Sequence, residues 1–381
     1  MHIDGVSDSA FSDALDVFSQ ILEHPEQRGA ALCVQVAGET VIDVWGGVTD
    51  RQGEQLWQRD TLINIFSSGK PIAAVVLLQM VAEGRLSLDT PLVEYWPEFA
   101  LHGKHRITLR HVLSHQAGLP AIAEQQPAEA LYDWAHMVKA VVETPPWWEP
   151  GSAHGYAPMT YGWIVGELIR RVDGCEPGEA IARRIARPFQ LDLHVGLDEH
   201  ALSRVGDVMR MKGVLADDAS LRLMKVMGGQ PQGMTAKAFS NPPSMMTSTN
   251  KLEWRVMQQP AANAHGTARG LAGFYTALLQ DQLLESDMLA AMVQEHSRGQ
   301  DLTLHTSTRF GLGCMLEQAD QLPASYALGQ HCFGHPGAGG TLGCADIERE
   351  LSVAFITNSL GASVLMDPRA QRINAMLKKC V

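Results

Sequence analysis

The sequence predicts an α+β fold in which a discontinuous α/β domain is interrupted by a mainly helical domain. Three observations support this prediction. The chain has 381 residues, which is enough for two domains. Strand patterns occur near both ends of the chain, and helical patterns fill most of the middle. We therefore expect residues 1–62 and 300–381 to form the α/β domain, and residues 63–299 to form the helical domain with long loops.

The N-terminal part of the α/β domain is predicted to begin with a helix and to continue as a hairpin. Apolar residues recur at helical spacing in residues 8–23, which indicates an amphipathic helix. Residues 30–36 and 40–45 are rich in β-branched and apolar side chains, and the intervening Gly38 and Glu39 are typical of a tight turn. Two adjacent strands are expected here.

The remaining elements are predicted as helices in the insertion and strands near the C-terminus. Helices bounded by Gly, Pro or Asp are expected at 71–83, 109–114, 132–143 and 161–172. Residues 200–250 are predicted as long loops over short helices, and residues 267–297 as helical again. Strands are expected at 311–316, 332–335, 340–345 and 351–357, followed by an amphipathic helix at 367–378.

The composition argues against several classes of partner. The formal net charge is -12, and basic residues occur in runs no longer than pairs such as Arg170 and Arg171, so we expect no nucleic-acid partner. No segment approaches the roughly 20 apolar residues of a membrane span. The N-terminus lacks a secretory signal pattern, so the cytoplasm is the expected compartment. The six cysteines form no CxxC pair and are expected to be reduced thiols.

A candidate nucleophile stands at the start of the helix predicted at 71–83. Proline is well tolerated only in the first turn of a helix, so Pro71 places the helix start close to Ser67. A side chain there lies at the positive end of the helix dipole, beside unpaired backbone N–H groups. Lys70 follows one helical turn later and can reach the Ser67 hydroxyl, whereas Ser68 lies on a different face. Lysine can act as the base only if its pKa falls from about 10.4.

The S-x-x-K pattern alone is a weak signal. Ser248 and Lys251 have the same spacing, but the stretch after them is short and is interrupted by Pro260. An alternative interpretation of Ser67 and Lys70 is an N-cap serine followed by a solvated lysine. A catalytic site on Ser67 therefore needs further groups elsewhere in the sequence.

Two other segments supply such groups. The turn-rich segment 147–156 ends at Tyr156 and contains Trp148, whose role could be structural or substrate-facing. The segment 333–340 contains His335 and is predicted as a strand bordered by glycines, which allow a ligand to approach the backbone. Tyr156 alone would more often be a core or rim tyrosine.

Taken in order, Ser67-x-x-Lys70, Tyr156 and His335-Pro336-Gly337 resemble the three motifs of class C β-lactamases and D-alanyl-D-alanine peptidases. They resemble the family VIII carboxylesterases more closely still. Residues 107–119 and 264–271 are also similar to stretches of the same superfamily. Taken together, the resemblance covers about residues 25–360, in order and at plausible spacing. It implies a β-lactamase/transpeptidase-like fold, with an antiparallel sheet flanked by terminal helices and an inserted helical domain.

The resemblance also implies roles for individual residues. Ser67 would attack the substrate carbonyl and form an acyl-enzyme, while Lys70 and Tyr156 would share the roles of base and proton donor. The backbone N–H groups of Ser67 and Ala338 would form the oxyanion hole, in which one donor is typically worth about 3 kcal/mol. His335, Gly337 and Trp148 are expected to contact the substrate.

Two departures from the penicillin-recognising relatives favour esters over β-lactams and peptides. Those relatives have a lysine at the position of His335, and that cation helps to hold a substrate carboxylate. They also have an asparagine or serine at the position of Pro158, whose side chain cannot form a hydrogen bond. We expect His335 to be partly charged near neutral pH and to assist an acidic substrate weakly.

The resulting hypothesis is a cytoplasmic serine carboxylesterase that acts on small esters. A β-lactamase, an amide-hydrolysing peptidase or an acyltransferase with the same residues is one alternative, and a non-catalytic binding protein is another. No metal or organic cofactor is expected: His111 and His115 are four residues apart but no carboxylate partner is evident, so packing or capping is the preferred interpretation. The expected partner is a small-molecule ester, without nucleic acid or membrane, and the sequence is compatible with a homo-oligomer.

Overall fold

The computed structural model describes residues 2–243, 247–318 and 324–381. In chain order the strands are β1 (Ile3–Ser7), β2 (Gly29–Val36), β3 (Glu39–Gly47), β4 (Ile63–Asn64), β5 (Leu193–Val195), β6 (Met209–Arg210), β7 (Ala264–Gly266), β8 (Ser297–Gln300), β9 (Ser307–Phe310), β10 (Met315–Leu316), β11 (Cys332–Pro336), β12 (Leu342–Asp346), β13 (Leu351–Thr357) and β14 (Ser359–Leu360).

The α-helices are α1 (Ser12–Glu23), α2 (Lys70–Ala82), α3 (Leu109–Leu113), α4 (Trp134–Glu143), α5 (Thr160–Asp173), α6 (Pro177–Ile181), α7 (Glu199–Leu202), α8 (Asp218–Gly229), α9 (Met234–Ser240), α10 (Leu252–Val256), α11 (Ala268–Leu279), α12 (Ser286–Val293) and α13 (Pro368–Cys380). Short 3₁₀ turns connect several of them, and one turn, Phe66–Gly69, leads directly into α2.

The main sheet joins both ends of the chain. Its order is β1-β3-β2-β13-β12-β11-β10-β9-β8, with antiparallel neighbours throughout. The N-terminal hairpin β2–β3 pairs with the C-terminal strand β13, so that Val34 lies opposite Val353. The helical part of the chain is therefore inserted between two halves of one sheet.

Both faces of this sheet are buried. Alternate residues of a strand point to opposite sides, so each strand contributes side chains to both faces. On β2, Leu32 and Val34 pack with α1 and α13, while Ala31 and Cys33 pack on the side of α11. The terminal helices therefore cover one face, and α11 with the inserted helices covers the other. This arrangement confirms the predicted α+β fold class with an antiparallel sheet and flanking terminal helices.

The inserted helices surround α2, which apart from Lys70 and Gln79 carries apolar side chains on every side. Residues 70–78 of this helix are buried all round, as expected for a helix at the centre of a fold. A three-stranded sheet of order β4-β7-β5 lies at its N-terminal end. One hydrophobic core runs from α2 to the α11 side of the main sheet. The division into domains at residues 62 and 300 stays a prediction.

The structure differs from the sequence prediction at several strands. Strand β1 was not predicted, and neither were β8 and β9, where residues 297–300 continue a segment that was expected to be helical. The helical segment expected at 267–297 is confirmed as two helices, α11 and α12, whereas the strand expected at 311–316 is limited to Met315–Leu316. Polar side chains on β1 and β8 explain the first two errors, because these outer strands lack an apolar alternation.

Within the described residues, no helix combines the length and apolar character needed to cross a membrane.

Candidate active site

Ser67 lies in a tight turn between the small sheet and α2. The preceding backbone is fixed by a hydrogen bond from Ile65 N to Ala264 O of 2.8 Å. Phe66, directly before Ser67, has a φ of 49° and is buried. A bulky residue in this left-handed conformation typically costs about 1–3 kcal/mol and persists only where its surroundings hold it. The turn thus presents the half-buried Ser67 side chain beside the start of α2, as the position of Pro71 predicts.

Lys70 is fully buried and its amine has three oxygen neighbours. Its Nζ lies 3.2 Å from Ser67 Oγ, 3.0 Å from the Pro158 carbonyl oxygen and 2.9 Å from the Ala261 carbonyl oxygen. Desolvation lowers the pKa of Lys70 well below its usual value, because burial penalises the ammonium form. The alternative of a solvated lysine is therefore wrong.

These neighbours determine how a neutral Lys70 amine can bond. Carbonyl oxygens only accept hydrogen bonds, so the two N–H groups of a neutral amine satisfy Pro158 and Ala261. The remaining lone pair then faces the Ser67 hydroxyl, which can donate its proton to it. The geometry is that of a base aimed at a serine hydroxyl.

Tyr156 completes the polar cluster around Ser67. Its phenol donates a hydrogen bond of 2.7 Å to Ser67 Oγ, and Lys70 Nζ lies 4.8 Å from the centre of its ring. Burial raises the pKa of the Tyr156 phenol, so the group remains a proton donor at neutral pH. Lys70 and Tyr156, which the sequence singled out with Ser67, are thus both within hydrogen-bonding reach of the Ser67 hydroxyl.

A buried carboxylate fixes the backbone at Tyr156. Both oxygens of Asp301 accept from Tyr156 N, at 3.1 and 3.0 Å, and Asp301 also accepts from Thr303 N and Leu304 N at 2.8 Å. Burial raises the pKa of Asp301 to about 6 in spite of these donors. The loop between β8 and β9 therefore holds Tyr156 in place.

Trp148 lies in the loop that leads to Tyr156. Its indole N–H donates to Ala153 O at 3.0 Å, and the ring packs on Gly155, where a Cβ atom would come within 2.7 Å of it. Both contacts are within the loop itself. They account for Trp148 as a structural residue of this loop, and its contact with substrate stays a prediction.

The third motif meets the Ser67 turn through the end of β11. A Cβ atom on Gly337 would lie 2.4 Å from Ile65 O and 1.9 Å from Thr341 Oγ1, so this position accepts only glycine. Thr341 Oγ1 also donates to Ile65 O at 3.1 Å. These contacts bring the backbone around Gly337, including the adjacent Ala338, against the turn that carries Ser67.

His335 is buried in β11, with its ring centre 5.7 Å from that of Tyr156. The expectation of a partly charged imidazole is wrong, because desolvation and the nearby Lys70 lower the pKa of His335 to about 3. Its Nδ1 lies 2.7 Å from Pro336 O and must donate to this carbonyl. Nε2 then carries a lone pair, and this buried atom has no hydrogen-bond partner within the described structure.

The second S-x-x-K match has a different local structure from the first. Ser248 is fully buried, whereas Lys251 is exposed and its backbone N–H donates to Ser248 O at 2.8 Å. Lys251 is the N-cap residue of the short helix α10. Ser248 and Lys251 therefore form a local turn.

Several residues of the cluster were missed by sequence reasoning. The Pro158 and Ala261 carbonyls and the Asp301 carboxylate have no spacing that relates them to Ser67 in the sequence. His115 was considered only as a metal ligand or a packing residue. It is buried against Tyr156 and Tyr161, with ring centres 5.0 and 5.5 Å apart, and its Nδ1 accepts from Ala157 N. The superfamily-like stretch 107–119 was the signal that could have placed it here.

His111 caps the start of α3: its ring lies 3.3 Å from Thr108 N. Across residues 2–243, 247–318 and 324–381, no group of three or more His, Cys, Asp or Glu side chains is arranged to hold a metal ion.

Comparison with known proteins adds evidence on ancestry. Residues 16–376 match the protein family described as Beta-lactamase. Esterase/beta-lactamase LipL of Mycobacterium tuberculosis is 28% identical over 379 residues, which are 96% of this chain and 85% of LipL.

Solved structures are similar over the whole chain. A penicillin-binding protein homologue from Caulobacter crescentus has a TM-score of 0.89 and 31% identity, over 100% of both chains. A family VIII carboxylesterase has a TM-score of 0.88 and 29% identity, again over 100% of both chains. These similarities confirm the β-lactamase/transpeptidase-like fold and the resemblance on which it was predicted.

Proposed function

The chain belongs to the beta-lactamase family and is a hydrolase of that family, and on this basis we propose that it cleaves small, uncharged carboxylic esters through an acyl-enzyme on Ser67. The observation that carries the proposal is the hydrogen-bonded series Tyr156–Ser67–Lys70, with distances of 2.7 and 3.2 Å. A serine hydroxyl needs such an adjacent base to become a nucleophile.

In the proposed acylation step, Ser67 Oγ attacks the ester carbonyl while its proton moves to the neutral amine of Lys70. The Tyr156 phenol donates a proton to the departing alkoxide and recovers one from Lys70 through the hydrogen-bonded cluster. Water then attacks the acyl-enzyme by the reverse series of proton transfers, which releases the acid and restores Ser67.

The developing negative charge on the substrate oxygen needs nearby donors. We assign this role to the backbone N–H groups of Ser67 and Ala338. The close contact between Gly337 and Ile65 supports the assignment, because it joins the two backbone segments that carry these groups. Two such amides in a buried site stabilise a tetrahedral intermediate strongly.

The preference for uncharged esters follows from His335 and Pro158. A neutral imidazole supplies no cation for a substrate carboxylate, and the Pro158 side chain offers no hydrogen bond to a peptide or β-lactam amide. The names of LipL and of the family VIII carboxylesterase agree with ester hydrolysis. LipL is also named a β-lactamase, so β-lactam hydrolysis is the second candidate activity.

Turnover of p-nitrophenyl butyrate and nitrocefin by the purified protein tests this proposal, together with labelling by a fluorophosphonate and peptide mapping. We expect ester turnover to exceed nitrocefin turnover, with the label on Ser67. Ser67→Ala should abolish turnover and labelling, whereas Ser248→Ala should leave both nearly unchanged.

Equal losses in both folded variants would contradict the choice of Ser67. Faster turnover of nitrocefin would favour the β-lactamase, and acyl transfer to added alcohols in preference to water would favour the acyltransferase. A folded wild-type protein that neither turns over ester nor takes the label would be a binding protein.

A further inference from the structure

The two carbonyls that accept hydrogen bonds from Lys70 come from segments that are distant in sequence. Pro158 precedes α5, and Ala261 lies in the loop between α10 and β7. A small shift of either segment would change the direction of the amine, because nothing within the Lys70 side chain fixes its orientation. A group that bonds to both segments would hold these two carbonyls in a fixed relation.

Gln259 makes this connection. Its side chain is 1% exposed. Its Nε2 donates to Met159 O at 2.6 Å, and its Oε1 accepts from Ala261 N at 2.9 Å. One amide group thus bonds to the residue next to Pro158 and to Ala261 itself. A Cβ atom on Gly162 would come within 2.5 Å of this amide, so α5 packs directly against it.

Other buried amides fix Gln259 and its loop in turn. Gln259 N donates to Asn263 Oδ1 at 2.9 Å, and Asn263 Nδ2 donates to Trp254 O at 2.9 Å. Asn64, three residues before Ser67, donates to Ala262 O at 3.0 Å. Fully bonded networks of this kind hold a backbone in one conformation.

We propose that Gln259 is a positioning residue for catalysis, which holds the Pro158 and Ala261 carbonyls so that the lone pair of Lys70 faces Ser67. This inference rests on the proposed function. It assigns Gln259 no contact with substrate.

The surroundings of Lys70 make these carbonyls important. The titratable groups that face its amine are Tyr156, Tyr161, His115 and His335. Burial keeps both phenols protonated and both imidazoles neutral at physiological pH, since it raises the pKa of each tyrosine and lowers the pKa of each histidine. Carbonyl dipoles are therefore the groups that direct the N–H bonds of Lys70 and that favour its ammonium form.

Two substitutions test the proposal, and they are expected to move the acid limb of the pH profile in opposite directions. Gln259→Met keeps the side-chain length but removes both hydrogen bonds, so kcat should fall about a hundredfold, as for a misplaced catalytic group. The acid limb of the profile of kcat/KM against pH should move to lower pH, because the ammonium form loses its fixed carbonyls.

Gln259→Glu places a carboxyl group near Lys70, so the acid limb should move to higher pH by about one unit. KM should change little in both variants.

Asn374→Leu is the matched control. Asn374 is also a fully buried amide, which donates to Tyr326 O at 2.8 Å, but it lies on α13 on the other face of the sheet. It should lower thermal stability without moving the acid limb. Rates are compared per active site, counted by fluorophosphonate titration.

If both Gln259 variants keep the wild-type kcat per active site and the wild-type acid limb, Gln259 is a structural residue and the inference fails. It also fails if their only defect is the loss of stability seen in Asn374→Leu. Should Gln259→Met not fold, the kcat per active site of Gln259→Glu decides, because a carboxylate cannot donate to Met159 O. A wild-type protein without turnover contradicts the proposed function and this inference together, whereas unchanged variants of an active enzyme contradict this inference alone.

Discussion

Lys70 shows how burial can prepare a basic side chain for chemistry. Desolvation is the cause of its lowered pKa, and the groups around its amine are carbonyls, phenols and imidazoles. A carboxylate in the same place would hold the lysine as an ammonium ion. The residue-level environment therefore agrees with its proposed use as a base.

The lowered pKa of Lys70 determines the direction in which the activity should change with pH. Ester hydrolysis needs the neutral amine, so kcat/KM should rise with pH and level off well below pH 10.5, the usual pKa of lysine. It should not fall near pH 10, because burial raises the pKa of Tyr156 above its usual value of 10.0 and keeps the phenol protonated. Turnover of p-nitrophenyl butyrate, read at the isosbestic wavelength of p-nitrophenol after subtraction of spontaneous hydrolysis, measures this profile.

Asp301 provides the control, since its pKa of about 6 also falls on the acid side of the profile of kcat/KM against pH. If the ionisation of Lys70 determines the acid limb of this profile, Asp301→Asn should lower the rate without moving that limb. An acid limb that disappears in Asp301→Asn would transfer the effect to the carboxylate.

Side-chain chemistry could be predicted at the residue level, and backbone chemistry could not. Ser67 and Lys70 were predicted from their spacing at a helix start that Pro71 marks, and Tyr156 from its place between the other two motifs of the superfamily resemblance. The carbonyls of Pro158 and Ala261 were missed, because every residue has a carbonyl and only the fold decides where it points. The charge of His335 was misjudged for a related reason, since burial is a property of the packed structure.

At the level of elements, the turn after β11 and the turn before α2 act as one unit. Gly337 touches the backbone of Ile65, and Thr341 donates to the same carbonyl. The strained conformation of Phe66 lies within this contact. The geometry of Ser67 therefore depends on a strand that follows it by more than 260 residues.

A methyl group at Gly337 tests this dependence. In Gly337→Ala the Cβ atom would overlap with Ile65 O and Thr341 Oγ1, so the turn must move away from Ser67. We expect a loss of about a hundredfold in kcat/KM and a loss of about 1–3 kcal/mol in stability. Esterase assays and thermal unfolding measure the two effects.

Gly228→Ala serves as the comparison, because this glycine lies in α8 with nothing within 4 Å of a Cβ atom. It should keep full activity and gain up to about 1 kcal/mol in stability. Similar activity losses in both variants would show that the contact at Gly337 has no special importance.

Elements with strong local signals were predicted and those without them were missed. Pro71 marks the start of α2, and the β2–β3 hairpin has apolar strands around a Gly-containing turn. Strand β1 has mostly exposed residues and β8 is polar, so both form through pairing with neighbours rather than through their own pattern. Edge strands of this kind carry little information in their sequence.

On the scale of the whole molecule, the terminal helices close the core behind the sheet. Ile373 of α13 is completely buried in the cluster that also contains α1 and the outer-facing residues of β2 and β13. Its substitution leaves a cavity that the surrounding side chains fill only in part. Stability here depends on contacts between the two ends of the chain.

Ile373→Ala should therefore destabilise the protein by about 2–5 kcal/mol, measured from the urea midpoint, while turnover per folded molecule stays near that of the wild type. Leu221→Ala removes a side chain that is 53% exposed and should change stability by less than about 0.5 kcal/mol. Equal midpoints for the two variants would mean that the terminal helices contribute little to the fold.

The pairing of β2 with β13 has a consequence for synthesis of the protein. Residues 29–36 leave the ribosome long before residues 351–357 exist to pair with them. During that interval the first hairpin exposes two apolar faces. The turn at Gly337, which packs against the turn that carries Ser67, has not yet been synthesised. We expect a chain whose translation stops in the inserted region to be recognised by chaperones and proteases, and catalysis to begin only when the last strands have been made.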